Sequence, residues 1–214
     1  MSVNFHYLLK FIVIGDSGVG KSNILLRYIY NSFSEEFKTT VGVEFGAKNI
    51  EIEKKIFRIQ IWDTAGQENF RSIARAYYKN SVCACIVYDI SNRSSFENIQ
   101  MWINDCTKQT LKSVLLVLIG NKSDLNDKRE VSYEEGDAYA KSHKMIFLES
   151  SAKTGDNINE IFEESVKQIY KNILGNIYDL GNDNCGIRIG AKKDAFILGE
   201  NDNLNNENIC KRCC

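Results

Sequence analysis

The stretch Gly15-Asp16-Ser17-Gly18-Val19-Gly20-Lys21-Ser22 decides how this chain folds. It follows an apolar run, Leu8 to Ile14, and opens a segment, Asn23 to Tyr30, that reads as a helix. A strand, a glycine-rich turn ending in Gly-Lys-Ser, and a helix form the context that a phosphate-binding loop requires. Glycines take backbone conformations barred to other residues, so successive N–H groups point inward as an anion nest at a positive helix end. The phosphate contacts are expected from Ser17, Gly18, Val19, Gly20, Lys21, Ser22 and Asn23. Lys21 reaches the outer phosphates in such a loop, and the Ser22 hydroxyl is a candidate Mg²⁺ ligand. An ordinary glycine-rich turn is the competing reading, and the order of strand and helix argues against it.

Length and composition bound what surrounds the loop. At 214 residues, 43% of them hydrophobic, the chain suits one α/β domain with a tail. A net charge of −1 argues against a nucleic-acid binder, which needs a basic face. The early apolar run, Tyr7 to Ile14, is broken by Lys10 and is too short to span a bilayer or to serve as a signal peptide. It reads as a buried parallel strand. Of seven cysteines, Cys83, Cys85 and Cys106 fall inside regular elements and read as reduced core residues. Cys210, Cys213 and Cys214 crowd the C-terminus, where there is no core to fill.

Along the chain, strands alternate with helices. Val43 to Glu53 and Ile56 to Trp62 alternate with period two and predict an antiparallel hairpin turning at Glu53-Lys54-Lys55. Phe70 to Asn80 predicts a helix. Val82 to Tyr88 and Val114 to Ile119 are continuous apolar runs, as in central parallel strands. Between them the pattern predicts one helix, Ser94 to Gln109, capped by Ser91 or Asn92. Another begins with the capping box Ser132 and Glu135. After a last strand, Met145 to Leu148, the apolar stripe Ile158, Ile161, Phe162, Val166, Ile169, Tyr170 and Ile173 predicts the final helix. Past Gly175 the chain turns rich in Asn, Asp and Gly, which predicts a domain over 1–174 and a flexible tail over 175–214. A flexible tail of that length reaches roughly 35 Å.

Four more stretches sharpen the chemistry. Asp63-Thr64-Ala65-Gly66-Gln67 follows a strand end: Asp63 is placed to hold Mg²⁺, Gly66 to meet a γ-phosphate, and Gln67 to orient an attacking water. Asn121-Lys122-Ser123-Asp124 follows a later strand, where doubly wound sheets bind ligands. A carboxylate there, Asp124, accepts hydrogen bonds from guanine N1–H and its 2-amino group, donors that adenine lacks. Ser151, Ala152 and Lys153 offer backbone N–H groups to guanine O6. Phe33 is placed to lean on the base, and Thr40 to complete the Mg²⁺ shell.

Together these residues resemble the Ras-like small GTPases in order and spacing over about residues 7–174. The resemblance implies a P-loop GTPase fold: a six-stranded, mostly parallel sheet with one antiparallel edge strand and five flanking helices. It implies binding of GTP or GDP with Mg²⁺ and slow hydrolysis that needs a GAP, with Gln67, Thr40, Gly66 and Lys21 catalytic. Val41-Gly42-Val43-Glu44-Phe45, Arg58-Ile59-Gln60-Ile61-Trp62, Phe70-Arg71-Ser72-Ile73 and Tyr88-Asp89-Ile90 are similar to Rab signatures. Phe45-Gly46-Ala47 and Arg71 to Tyr78 lie nearest the Rab two subgroup, with Rabs four and fourteen beside it. A Rab implies effectors on a surface of Phe45, Trp62 and Tyr77, an exchange factor, a GAP and escort or GDI proteins. It also implies a place on the cytoplasmic face of intracellular membranes, early secretory or Golgi, with a cytosolic pool.

The terminal Cys213-Cys214 is what Rabs use for double prenylation and is not a C-a-a-X box. Adjacent cysteines make a poor mutual disulfide, and three thiols without histidine make a poor zinc site. The tail is not basic: near its end only Lys211 and Arg212 favour an anionic bilayer. Ser17 stands where Ras itself has glycine, and Asn23 after Gly-Lys-Ser has no evident chemical role. Two rival readings are a small-molecule P-loop kinase, opposed by Asn121 to Asp124, and a nucleotide-dependent interaction module with negligible hydrolysis, opposed by Gln67 and Thr40.

Overall fold

A computed structural model describes residues 5–36, 40, 42–66 and 71–190, without the side chains of 71–74. Its spine is strand β1 (Tyr7–Gly15), whose burial is nearly continuous, as a central parallel strand demands. Helix α1 (Lys21–Tyr30) follows, then the hairpin of β2 (Val43–Ile52) and β3 (Lys55–Thr64). Glu53 and Lys54 turn that hairpin with positive φ (50° and 61°), as a two-residue type I′ turn requires. Helix α2 (Arg71–Tyr78) leads to β4 (Cys83–Asp89), buried at every residue. Beyond it come α3 (Arg93–Glu97), α4 (Ile99–Thr107), β5 (Leu115–Asn121), α5 (Tyr133–Ser142), β6 (Ile146–Ser150), α6 (Ile158–Leu174) and a short β7 (Ile187–Ile189).

The sheet order is β2-β3-β1-β4-β5-β6, parallel throughout except for β2 on β3 and β7 on β1. It is the expected α/β P-loop architecture with one strand and one helix more than predicted. One core, built on Phe11, Ile24, Ile119, Phe162 and Val166, lies beneath α1 and α6. The other, built on Ile12, Ile86, Tyr88 and Trp102, lies beneath α4 and α5. Cys83, Cys85 and Cys106 are free thiols fully inside these cores.

Three expectations are corrected. The single helix over 94–109 is two, parted at Asn98, because the Asn98 amide donates to Asp16 Oδ2 (2.7 Å) instead of facing water. Asn92 caps the first of them, its side chain accepting from Ser95 N. The capping box at Ser132 is half made. Ser132 Oγ accepts from Glu135 N (3.1 Å), while the Glu135 carboxylate pairs with Arg93 (2.6 Å).

The third concerns 176–190, predicted as the start of a flexible tail, which returns to the sheet and buries Tyr178, Cys185 and Ile187 in the first core. β3 occupies one edge of β1 along its length, and β4 takes the other edge only from Phe11 onward. β7 fills what remains, pairing antiparallel with Tyr7, Leu8 and Leu9. Asn and Asp here build turns: Asp179 accepts from Gly181 N and Asn182 from Asn184 N. Gly186 (φ 76°) is required, since a Cβ there would strike the backbone of Asn80, Ser81 and Val82.

Candidate nucleotide site

Parallel strands β1, β3, β4, β5 and β6 all end at one rim, and the predicted residues gather there. Between β1 and α1 the loop turns on Gly18 (φ 81°) and Gly20 (φ 97°), both in conformations that favour glycine. Lys21 folds over it, donating from Nζ to the carbonyls of Gly15 (2.8 Å) and Asp16 (2.7 Å). Burial pushes the Lys21 ammonium down to about 8, against the pull of Asp63 and Asp16. Gly66 lies against the same loop: a Cβ there would meet Lys21 Nζ and the backbone of Asp16 and Ser17 within 2.6 Å. Ser17 and Asn23 line the resulting cleft of about 340 Å³.

At the end of β3, Asp63 is fully buried, and burial pushes its carboxyl up to about 6 despite Lys21 and Ser22. Ser22 Oγ donates to Asp63 Oδ2 (2.5 Å) and lies 2.9 Å from Thr40 Oγ1. Asp63 Oδ1 is buried without a hydrogen-bond partner among the described residues. Two hydroxyls and a carboxylate with an orphaned oxygen are a donor set of hard oxygens, and they fit Mg²⁺.

The other end of the cleft is organised by Asn121, only 1% exposed. Its Nδ2 donates to Val19 O (2.8 Å), and its Oδ1 accepts from Ala152 N (3.3 Å) and Ser150 Oγ (3.4 Å). One amide therefore ties the phosphate loop, β5 and the 150–153 turn together. Asp124 accepts from Ser151 Oγ (2.5 Å), and Lys122 pairs with Asp89 (2.7 Å). A second cleft of about 290 Å³, lined by Phe33, Asn121, Lys122, Asp124 and Lys153, shares Gly18, Gly20 and Asn23 with the first. The two form one channel, with hydroxyls and the Lys21 ammonium at one end and a carboxylate with an aromatic ring at the other.

A model of the Ras family matches residues 10–171, well over half of the chain. The chain belongs to the Ras family. As a Ras-family small GTPase it binds GTP and GDP, hydrolyses the first to the second, and switches between the two states.

Within this GTPase the structure also brings in residues the sequence reading passed over. Asp16 is held by two donors from α3–α4, Asn98 Nδ2 and Trp102 Nε1, each at 2.7 Å. Arg27 donates to the carbonyls of Ala152 (2.9 Å) and Lys153 (2.7 Å), bracing the turn at the base end. No motif marks Arg27, because its partners are backbone atoms far along the chain. Asn23, without a role in sequence, forms a two-bond clamp with the backbone of Ser34: its Nδ2 donates to Ser34 O and its Oδ1 accepts from Ser34 N, both 3.1 Å. Gln67, expected to orient water, lies outside the described residues, as do Cys213 and Cys214.

Beside the phosphate end, Phe45, Trp62 and Tyr77 adjoin one another on the surface. Phe45 is 49% exposed and Trp62 and Tyr77 are half-buried. The Phe45 and Trp62 rings are 4.9 Å apart edge to face, and Trp62 and Tyr77 are 5.4 Å apart.

Proposed function

We propose that this GTPase is a Rab-type switch of vesicle traffic, nearest in kind to the Rab two subgroup. In this reading it is held on the cytoplasmic face of an early secretory or Golgi membrane by prenyl groups on Cys213 and Cys214. The observation that carries the reading is the position of the aromatic surface. Phe45 and Trp62 face each other across β2 and β3, close to the strand ends from which the chain runs to Thr40 and Gly66 at the phosphate cleft. Whatever holds those two residues therefore sets the surface that effectors meet.

The working parts follow from the site. Lys21 and the loop backbone bind the β- and γ-phosphates. Ser22, Thr40 and Asp63 would hold Mg²⁺, which when bound neutralises charge on the phosphates. Asp124 reads the guanine edge, and Phe33 packs beside the base. Thr40 and Gly66 hold segments 33–45 and 63–78 to a γ-phosphate, and both segments relax once it is gone. Gln67 orients the attacking water. Arg75 donates to both oxygens of Asp105 at 2.9 Å and so is engaged away from the cleft; in this reading a GAP supplies the transition-state arginine. An exchange factor, effectors and a GDI-type escort complete the cycle.

Trp62 reports on this switch directly, since the chain has one other tryptophan, buried Trp102. Exchanging GDP for a non-hydrolysable GTP analogue should change the emission, and Trp62→Phe should remove most of the change, leaving only what Trp102 contributes through its bond to Asp16. An unchanged spectrum in the parent protein would overturn the coupling between nucleotide and surface. Intact-mass analysis of membrane-derived protein tests the anchor: two prenyl groups are expected, and unmodified terminal thiols would refute it.

A further inference from the structure

The rim opposite the nucleotide carries a charge pattern that GTP hydrolysis does not use. Topology sends every helix-to-strand connection of the parallel sheet there, along with the β2–β3 turn and the returning segment. The turn presents Lys54 and Lys55, and the connection into β4 presents Lys79. Lys108 and Lys112 lie before β5, and Lys144 lies before β6. The end of α6 and the returning segment add Lys171 and Arg188. Against these eight cations the same segments set three carboxylates, Glu53, Asp179 and Asp183, in a chain whose net charge is −1. All the cations but Lys55 are exposed, and none takes part in an ion pair among the described residues.

Exposed apolar side chains share this rim. Leu174 (63% exposed) and Ile177 (58%) flank the end of α6, Ile189 (55%) stands on β7, and Leu111 lies in the connection into β5. Basic residues interleaved with exposed aliphatic ones make a surface suited to an anionic lipid interface, where cations meet headgroups and aliphatic groups enter the acyl boundary. The chain leaves the described structure on this rim, at Gly190, whose N–H donates to His6 O just before β1 (2.9 Å). The 24 residues that remain reach roughly 27 Å if flexible, shorter than the tether a tail beginning at 175 would give.

We infer that this basic, aliphatic rim is a membrane-contact face for anionic phospholipid, orienting the domain with its nucleotide cleft and aromatic surface away from the bilayer. The inference rests on the membrane reading above, and it assigns to the folded domain the electrostatic attraction that the tail lacks.

The test uses the full, unprenylated chain with GDP bound, so that lipid anchoring plays no part. Vesicles of 30% phosphatidylserine in phosphatidylcholine should retain the protein at least tenfold better than pure phosphatidylcholine, and 0.5 M salt should remove the difference. The triple variant Lys79→Glu, Lys112→Glu, Arg188→Glu should lose on the order of tenfold in that binding while keeping its melting temperature and GDP affinity. Replacing Lys211 and Arg212 with alanine should leave most of it. Equal binding to both vesicle types would overturn the inference. So would loss through the two tail residues alone, or binding that the triple variant retains. Unmodified Cys213 and Cys214 in cells would instead sink the anchor while leaving the vesicle result standing.

Discussion

Asn121 shows how much one side chain settles, since its amide is satisfied on both sides by elements more than 25 residues away. Next to it, Asp124 accepts from Ser151 and is, among the described residues, the one carboxylate lining the base end beyond the 33–36 segment. Asp124→Asn should therefore cut guanine affinity on the order of 10³-fold or more and favour xanthosine nucleotides, because an amide donates where xanthine offers a carbonyl. Unchanged guanine-over-xanthine preference in competition titrations would sink that role. Asn23 acts more quietly. Its two bonds to Ser34 hold the segment bearing Phe33 against α1, so Asn23→Ala should speed GDP release roughly five- to twentyfold, at about 1 kcal/mol or less per bond. Stopped-flow release of a fluorescent GDP checks it, and an unchanged rate would refute the clamp. Asp63 carries a pH signature. Its folded carboxyl sits near 6 against an ordinary 3.8, so the folded protein stripped of ligands binds the extra proton. The stability this contributes is whole below pH ~4 and is lost as pH rises through ~6, leaving a cost of about 1–3 kcal/mol at neutrality. Lys21, pushed down to about 8, has the opposite slope: its share of stability returns as pH rises from 8 toward 10.5. Asp63→Asn should raise the melting temperature of the stripped protein at pH 7, flatten its dependence between pH 4 and 6, and weaken Mg²⁺-dependent nucleotide binding. Parallel melting-versus-pH curves for the two proteins would contradict the burial argument.

At the scale of elements, legibility tracks how local the determining physics is. The phosphate loop, the hairpin and the α6 stripe could be read because glycine geometry, period-two alternation and three-and-four spacing are written in adjacent residues. The division of helix 94–109 was not readable, because its cause, Asp16, lies 82 residues from Asn98 in sequence. The return of 176–190 was hidden for a different reason. Asn, Asp and Gly serve mobile chains and tight turns alike, and three residues of β7 are too few to show a period. What decides between the two is an unfilled edge of β1, which no local pattern encodes. Arg27, and the clamp that Asn23 makes on Ser34, were missed on the same ground, since backbone partners leave no motif. The element-level prediction follows. Gly186→Val puts a side chain into the backbone of Ser81 and Val82 at positive φ, and should release β7 from β1 at a cost of about 2–4 kcal/mol. Cys185, buried in the parent, then becomes reactive. In a chain whose Cys210, Cys213 and Cys214 are serine, thiol labelling of the Gly186→Val protein should gain one fast site. Labelling as slow as the parent's would show that the segment does not depend on this glycine.

For the molecule as a whole, the two rims of one sheet have been given different work. The strand C-terminal rim gathers hydroxyls, ammonium and carboxylates around the candidate nucleotide cleft, while the opposite rim collects lysines, exposed aliphatic groups and the point where the chain leaves the described residues. This polarity gives the proposed anchor a mechanical sense, since prenyl groups on Cys213 and Cys214 would draw the departing rim toward the bilayer and leave the aromatic surface to partners. One saturated fourteen-carbon chain holds a protein on a membrane only marginally, so stable attachment takes a second signal. If the rim supplies part of that signal, the loss of one prenyl site should be graded by lipid charge. In fractionated cells Cys213→Ser should leave the protein divided between membrane and cytosol, and the Cys213→Ser, Cys214→Ser double variant should be cytosolic. Combining Cys213→Ser with Lys79→Glu, Lys112→Glu and Arg188→Glu should move the divided pool into the cytosol, because the weak anchor has then lost its electrostatic partner. A singly prenylated protein whose distribution ignores those three reversals would show that the second prenyl group alone supplies the second signal.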